Sequence, residues 1–168
     1  MKTSNSIVNE EEFVLNKAKA DFRVLINVTL LGICFTIFTF IVAIRPQLLT
    51  QNVFLTLQLA CSIPFMTSSA LARSKQGYTI RENKWDTFGY VTFILGYTFL
   101  INVVGLLLSY LISFNVGLIY FCVNAGLAVT YSAVDVSYDR HRLKGRAIKV
   151  VIFILLLVIL GVLPALYY

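Results

Sequence analysis

Two carboxylates, Asp135 and Asp139, stand four residues apart, and Arg140, Arg142, Lys144 and Arg146 follow directly. On a continuous helix that spacing places both acids on one face. Such a pair can hold Mg²⁺ while neighbouring cations take phosphate oxygens, the chemistry of enzymes that handle lipid diphosphates. Sites of this kind usually recruit further carboxylates, and the remaining candidates are Glu82, Asp86 and the acids of the N-terminal segment. His141 is the only histidine, so a His-based metal site or a Ser-His-Asp triad has little to build on. Gly-rich phosphate loops, HExxH, CxxC and GxSxG are all missing from the sequence. The plainer reading makes Asp135 and Asp139 offsetting charges in a basic helix end, with Arg140, Arg142, Lys144 and Arg146 contacting anionic headgroups. That reading is preferred. The balance lies against an enzyme, no cofactor is expected, and Asp135 and Asp139 are the only metal candidates.

A second set of polar residues lies inside long apolar stretches. Gln51, Gln58, Ser62 and Ser69 form one helical stripe, Thr98, Asn102, Gly105 and Ser109 a second, and Asn124, Ala128, Tyr131 and Asp135 a third. Gly105 and Ser109 make a small-xxx-small pair. At about 1.5 Å rise per residue, Gln58, Asn102 and Asn124 fall within roughly 5 Å of the middle of their stretches. Three amides at one depth can be interhelical glue, worth about 0.6 kcal/mol per bond. They can also line a small polar site, for which Gln58, Ser62, Asn102, Asn124 and Tyr131 are the candidate ligand- or pore-lining residues. Glue is the leading reading, because no charged residue lies deep in any stretch. The same absence disfavours proton coupling, which calls for ionisable groups within the membrane.

These residues are positioned by five uncharged stretches: 24–44, 51–72, 87–112, 116–134 and 150–167. Each is near the ~20 residues that cross a hydrocarbon core. The chain is 58% hydrophobic and 13% charged, against about 45–50% and about 25% in soluble domains. The expected fold is therefore an all-α integral membrane protein, a bundle of five transmembrane helices. Residues 1–23 are expected as a short N-terminal amphipathic helix, with Val14, Ala18 and Phe22 opposite Lys17 and Asp21. An alternative makes this segment the water-exposed start of the first span. Residues 24–168 then form the membrane domain. Arg45-Pro46 closes the first span, Pro64 predicts a kink in the second, and the link at 113–115 forces spans 3 and 4 into a tight hairpin. The polar stripes nominate spans 2, 3 and 4 as core, with span 5 packed outside.

Charge sets an orientation. Of 14 Lys and Arg, Arg45 alone lies on one side; the other thirteen flank the opposite ends of the spans. That bias predicts a cytoplasmic N-terminus and a non-cytoplasmic C-terminus, with the cytoplasmic (inner) membrane as the expected home, although spans of this length also suit the endoplasmic reticulum. Asn27-Val28-Thr29 matches a glycosylation sequon but lies within span 1, near its cytoplasmic end. Cys34, Cys61 and Cys122 all fall in apolar spans and are read as small hydrophobes. The net charge of +6 is read as topology and attraction to anionic headgroups, not to nucleic acid.

The expected function is a small non-enzymatic multi-pass protein. It is a permeation or carrier protein for a neutral solute, lipid or ion, with a polar seam between spans 2, 3 and 4. The alternative is an accessory or assembly subunit of a larger membrane complex, and the third reading is a lipid-headgroup enzyme using Asp135 and Asp139. A homo-oligomer or a membrane-protein partner is expected.

Overall fold

The computed structural model describes residues 4–78, 83–138 and 143–167, and no strand occurs among them. Seven helices follow in order: α1 (Ser4–Ile44), α2 (Gln47–Gln51), α3 (Val53–Tyr78), α4 (Asn83–Leu111), α5 (Phe114–Tyr138), α6 (Leu143–Leu157) and α7 (Leu163–Leu166). A π-helical turn, Val158–Val162, joins α6 to α7 without a break. Five helical segments are long and apolar enough to cross a membrane: Lys17–Ile44, Val53–Gln76, Lys84–Leu111, Phe114–Ser137 and Gly145–Leu166. Each runs past its uncharged stretch at the basic end. Charge does not end a helix; a residue that cannot propagate it does.

The N-terminal segment shows this most clearly. Residues 4–31 contain neither Pro nor Gly, and a separate amphipathic helix does not form. Instead α1 runs unbroken from Ser4 to Ile44 and stops just before Arg45-Pro46. The apolar face anticipated at Val14, Ala18 and Phe22 is exposed. Burial falls instead on Ala20, Asn27, Cys34 and Ile41, one residue in every seven. A seven-residue repeat is the seam along which helices pack side by side. Val14, Ala18 and Phe22, expected to face the membrane surface, lie off this seam.

The chain divides into two compact units, Met1–Pro46 with Ala60–Tyr97, and Gln47–Leu59 with Thr98–Tyr168. In the first, hydroxyls close the seam locally. Ser62 Oγ donates to Cys34 Sγ at 3.4 Å, and Ser69 Oγ donates to the Gly89 carbonyl at 2.7 Å. Helix α3 continues through Pro64.

In the second unit, Asn52 starts α3: its Oδ1 accepts the Leu55 N–H at 3.0 Å, an N-cap that satisfies one free donor of the first turn. Helices α4 and α5 turn on Ile112 and Ser113, whose Ser113 carbonyl accepts from Val116 and Gly117. The expected tight hairpin is formed by backbone approach. A Cβ on Gly117 would lie 2.8 Å from the Gly105 carbonyl oxygen and overlap Ser109, so only glycine fits there.

Burial departs from the expected core. Helix α4 is the most covered of the five, with more than half of its most apolar 18-residue window buried, and α5 the least. Among the described side chains of α5, only Gly117 and Phe121 are buried. The stripe Asn124, Ala128, Tyr131 and Asp135 had suggested an inward face, but Tyr131 is exposed, Asp135 pairs with Arg146, and Asn124 bonds to its own helix at Tyr120 O. A polar group satisfied that way has no need of an inward position.

Candidate functional site

Within the second unit, the last helix supplies the polar surface that its aliphatic sequence conceals. In an α-helix the Leu160 carbonyl would accept from the N–H of residue 164, but that residue is proline and has none. The helix accommodates this with its π turn, in which the Leu163 N–H reaches back to the Val158 carbonyl. Without that α-helical donor, the Leu160 carbonyl is open to a partner from another helix. Gln58 of α3 takes it, Nε2 donating at 2.7 Å. Tyr110 of α4 donates its hydroxyl to the Pro164 carbonyl at 3.4 Å, one turn further along.

Asn102 of α4 meets the same turn from a second direction. A Cβ on Gly161 would lie 2.8 Å from Asn102 Oδ1 and 2.7 Å from the Phe121 ring, so glycine lets the amide and the ring approach the helix axis. Phe121 also covers Gly105, three residues on from Asn102. The site thus comprises two amides, one aromatic wall and a backbone carbonyl, presented by α3, α4, α5 and the π turn.

Its hydrogen bonding is incomplete. Asn102 is 0% exposed, yet neither Nδ2 nor Oδ1 has a partner. Gln58 Oε1 is buried and unpaired, as is Nδ2 of Asn52. Each buried unpaired polar group costs about 1–3 kcal/mol, and such groups are rare without a purpose. The unpaired set contains acceptors (Gln58 Oε1, Asn102 Oδ1) and a donor (Asn102 Nδ2). A bare cation would satisfy the oxygens only. A neutral molecule with both a donor and an acceptor, such as water, an alcohol or an amide, matches the set.

The other expected residues lie elsewhere. Ser62 is buried in the first unit against Cys34. Asn124 is half-buried and donates to Tyr120 O at 2.9 Å. Tyr131 is exposed; Arg146 of α6 lies over its ring, 5.7 Å from the centroid, and makes an ion pair with Asp135. That pair commits the Asp135 carboxylate to a structural partner. Asp139, Arg140 and Arg142 lie outside the described residues, and of Lys144 only the helical backbone is described. Among the described residues, no three His, Cys, Asp or Glu side chains group as metal ligands.

The Leu160 carbonyl, Gly161 and Phe121 were missed from sequence. A readable signal for the first existed: a proline at position 164 orphans the carbonyl four residues earlier. The chain matches no family model, no curated protein and no solved structure.

Proposed function

We propose that the chain is a non-enzymatic multi-pass membrane protein that carries or passes a small neutral polar solute through its second unit. The outward faces of its long helices carry Phe35, Leu57, Leu127 and Ile152 exposed, surfaces suited to lipid rather than water. The thirteen-to-one distribution of basic residues supports a cytoplasmic N-terminus in the inner membrane. Anionic headgroups would meet Arg146 and its basic neighbours on that side.

The observation that carries the solute reading is Asn102, wholly buried with both amide atoms unpaired. Its position against a π turn interrupted by proline adds support, because interrupted membrane helices expose backbone groups where solutes bind. A neutral guest is favoured over an ion because the free groups include donors as well as acceptors and no carboxylate is present among them.

Reconstituted liposomes test this by stopped-flow light scattering, with urea and glycerol as probes and potassium flux followed in parallel. The expected result is accelerated entry of at least one neutral probe, abolished in Asn102→Leu, with no acceleration of potassium. Potassium passage at the rate of the neutral probe, or unchanged solute entry in Asn102→Leu, overturns the reading.

One observation favours a second reading, assembly with another copy or a membrane partner. Helix α5 is the least covered long helix and leaves Ile119, Val123 and Leu127 exposed on one face. Co-purification of a stoichiometric subunit in mild detergent would support it.

A further inference from the structure

The first unit contains a charge cluster that solute passage does not use. Arg23 of α1 and Arg73 of α3 engage the same oxygen, Oδ1 of Asp86 on α4. Arg23 Nη1 donates at 2.9 Å, and Arg73 Nη1 makes the second ion pair. Arg73 Nη1 also donates to Gln76 Oε1 at 3.0 Å. Among the described residues two cations share this one anion, so one positive charge is left over there.

The two arginines differ in access. The Arg73 side chain is 6% exposed, whereas Arg23 is 44% and Asp86 38% exposed. Arg73 is held from beneath as well. A Cβ on Gly89 would lie 3.2 Å from its Nε and 3.3 Å from its Cδ, so the glycine lets the side chain cross α4 closely. Ser69, one turn before Arg73, ties α3 to the Gly89 carbonyl at that crossing. A buried guanidinium is thus fixed in place while a second one, on another helix, stays open to the outside.

We propose that Arg23 and Arg73 form a clamp for one phosphate group, and that Asp86 is a built-in competitor occupying the clamp when phosphate is absent. Guanidinium forks match phosphate oxygens in geometry and bind them through charge-assisted hydrogen bonds. A carboxylate leaves the clamp with a charge of +1; a phosphomonoester brings about −1.5 to −2 and offsets it. The residues lie near the ends of their apolar segments, Arg73 in the last turn of Val53–Gln76 and Asp86 in the first of Lys84–Leu111. Lipid phosphates lie at that level, and soluble phosphate also has access to it.

The full-length protein in detergent, titrated and read by native mass spectrometry, separates these sources. The probes are phosphatidic acid, diacylglycerol with the same acyl chains, and inorganic phosphate. Phosphatidic acid should bind and diacylglycerol should not. Arg23→Gln should weaken binding about tenfold, the size expected for one hydrogen bond between charged groups. Asp86→Asn keeps the accepting Oδ1 but removes the competing charge, and should tighten binding several-fold. A purely structural ion pair would not produce that opposite sign. Displacement of the lipid by equimolar inorganic phosphate would identify the soluble ion as the occupant and support the clamp. Equal binding of diacylglycerol, or unchanged affinity in both variants, overturns it. Because Arg23 and Asp86 are partly exposed, both variants are expected to fold, and a thermal midpoint in detergent checks this.

Discussion

The two units differ in how far their buried polarity is satisfied: among the described side chains a single amide oxygen, Asn27 Oδ1, stands unpaired in the first, against four amide atoms in the second. In the first, the buried Arg73 finds Asp86 and Gln76, the buried Ser62 finds Cys34, and the buried Ser69 finds a backbone carbonyl. In the second, Asn102 has no partner for either amide atom, and Gln58 has a partner for only one. A full charge in a poorly hydrated place carries a large desolvation cost, so it is tolerated only with a partner. A neutral amide costs less, so a fold can leave it open. The lesson is that the candidate solute site lies where polarity is weak and unsatisfied, whereas the buried full charge of Arg73 is paired.

The largest effect should come from breaking the satisfied side of this comparison. Asp86→Ala leaves Arg73 buried beside Gln76 without its counter-charge. Removing one partner of a buried ion pair costs about 3–5 kcal/mol, and the partial exposure of Asp86 places this case at about 2–3 kcal/mol. Denaturant-induced unfolding in mixed micelles should show that loss. A change below about 0.5 kcal/mol, the range of ordinary surface substitutions, would mean that water already solvates Arg73 and that the two units do not differ as argued.

Next comes Gly161→Ala, which presses on the unsatisfied side. The new methyl group would meet the Phe121 ring at 2.7 Å and Asn102 Oδ1 at 2.8 Å. Overpacking of this kind costs about 1–3 kcal/mol. The same change should slow solute entry, because it displaces the amide proposed to bind the guest. Full activity with full stability would show that the π turn has room to yield.

How much of this was legible follows from which signals are local. The five long apolar segments were legible because hydropathy and length are properties of one helix at a time. Gln58 and Asn102 were legible as buried amides because their stripes lie on faces that do pack inward. The inward face of α1, Ala20, Asn27, Cys34 and Ile41, was not, because a lipid-facing surface carries the same residue types as a core. The ranking of α5 above the last helix failed for a different reason. Hydropathy counts side chains, whereas the last helix contributes a backbone carbonyl freed by Pro164 and a close approach permitted by Gly161. The Arg23–Asp86–Arg73 cluster brings together residues 63 and 13 positions apart, and no periodicity announces such a pairing.

A smaller effect, of unusual sign, is expected for Asn102→Leu. Leucine keeps the branched outline of asparagine with somewhat more bulk, and removes two buried polar atoms that have no partner. Eliminating an unsatisfied amide should leave stability unchanged or raise it by about 1 kcal/mol, while solute entry is lost. Interhelical glue predicts the reverse, a loss of stability. The unfolding midpoint of this one variant therefore decides between the two meanings of a buried amide in this protein.

The smallest expected effect is that of Asn124→Leu, and it bears directly on why Asn102 is singled out. Both residues are amides in apolar helical stretches, and by sequence alone they are equivalent. Asn124, however, donates to Tyr120 O within its own helix and is only half-buried, so leucine there removes a bond that any solvent or lipid-facing helix can forgo. Stability should move by less than about 0.5 kcal/mol and solute entry should be unchanged. If Asn124→Leu instead abolishes entry as completely as Asn102→Leu, then the solute path runs along α5. In that case self-bonding within a helix does not mark an amide as idle, and the contrast between satisfied and unsatisfied groups would have to be replaced by one of position alone.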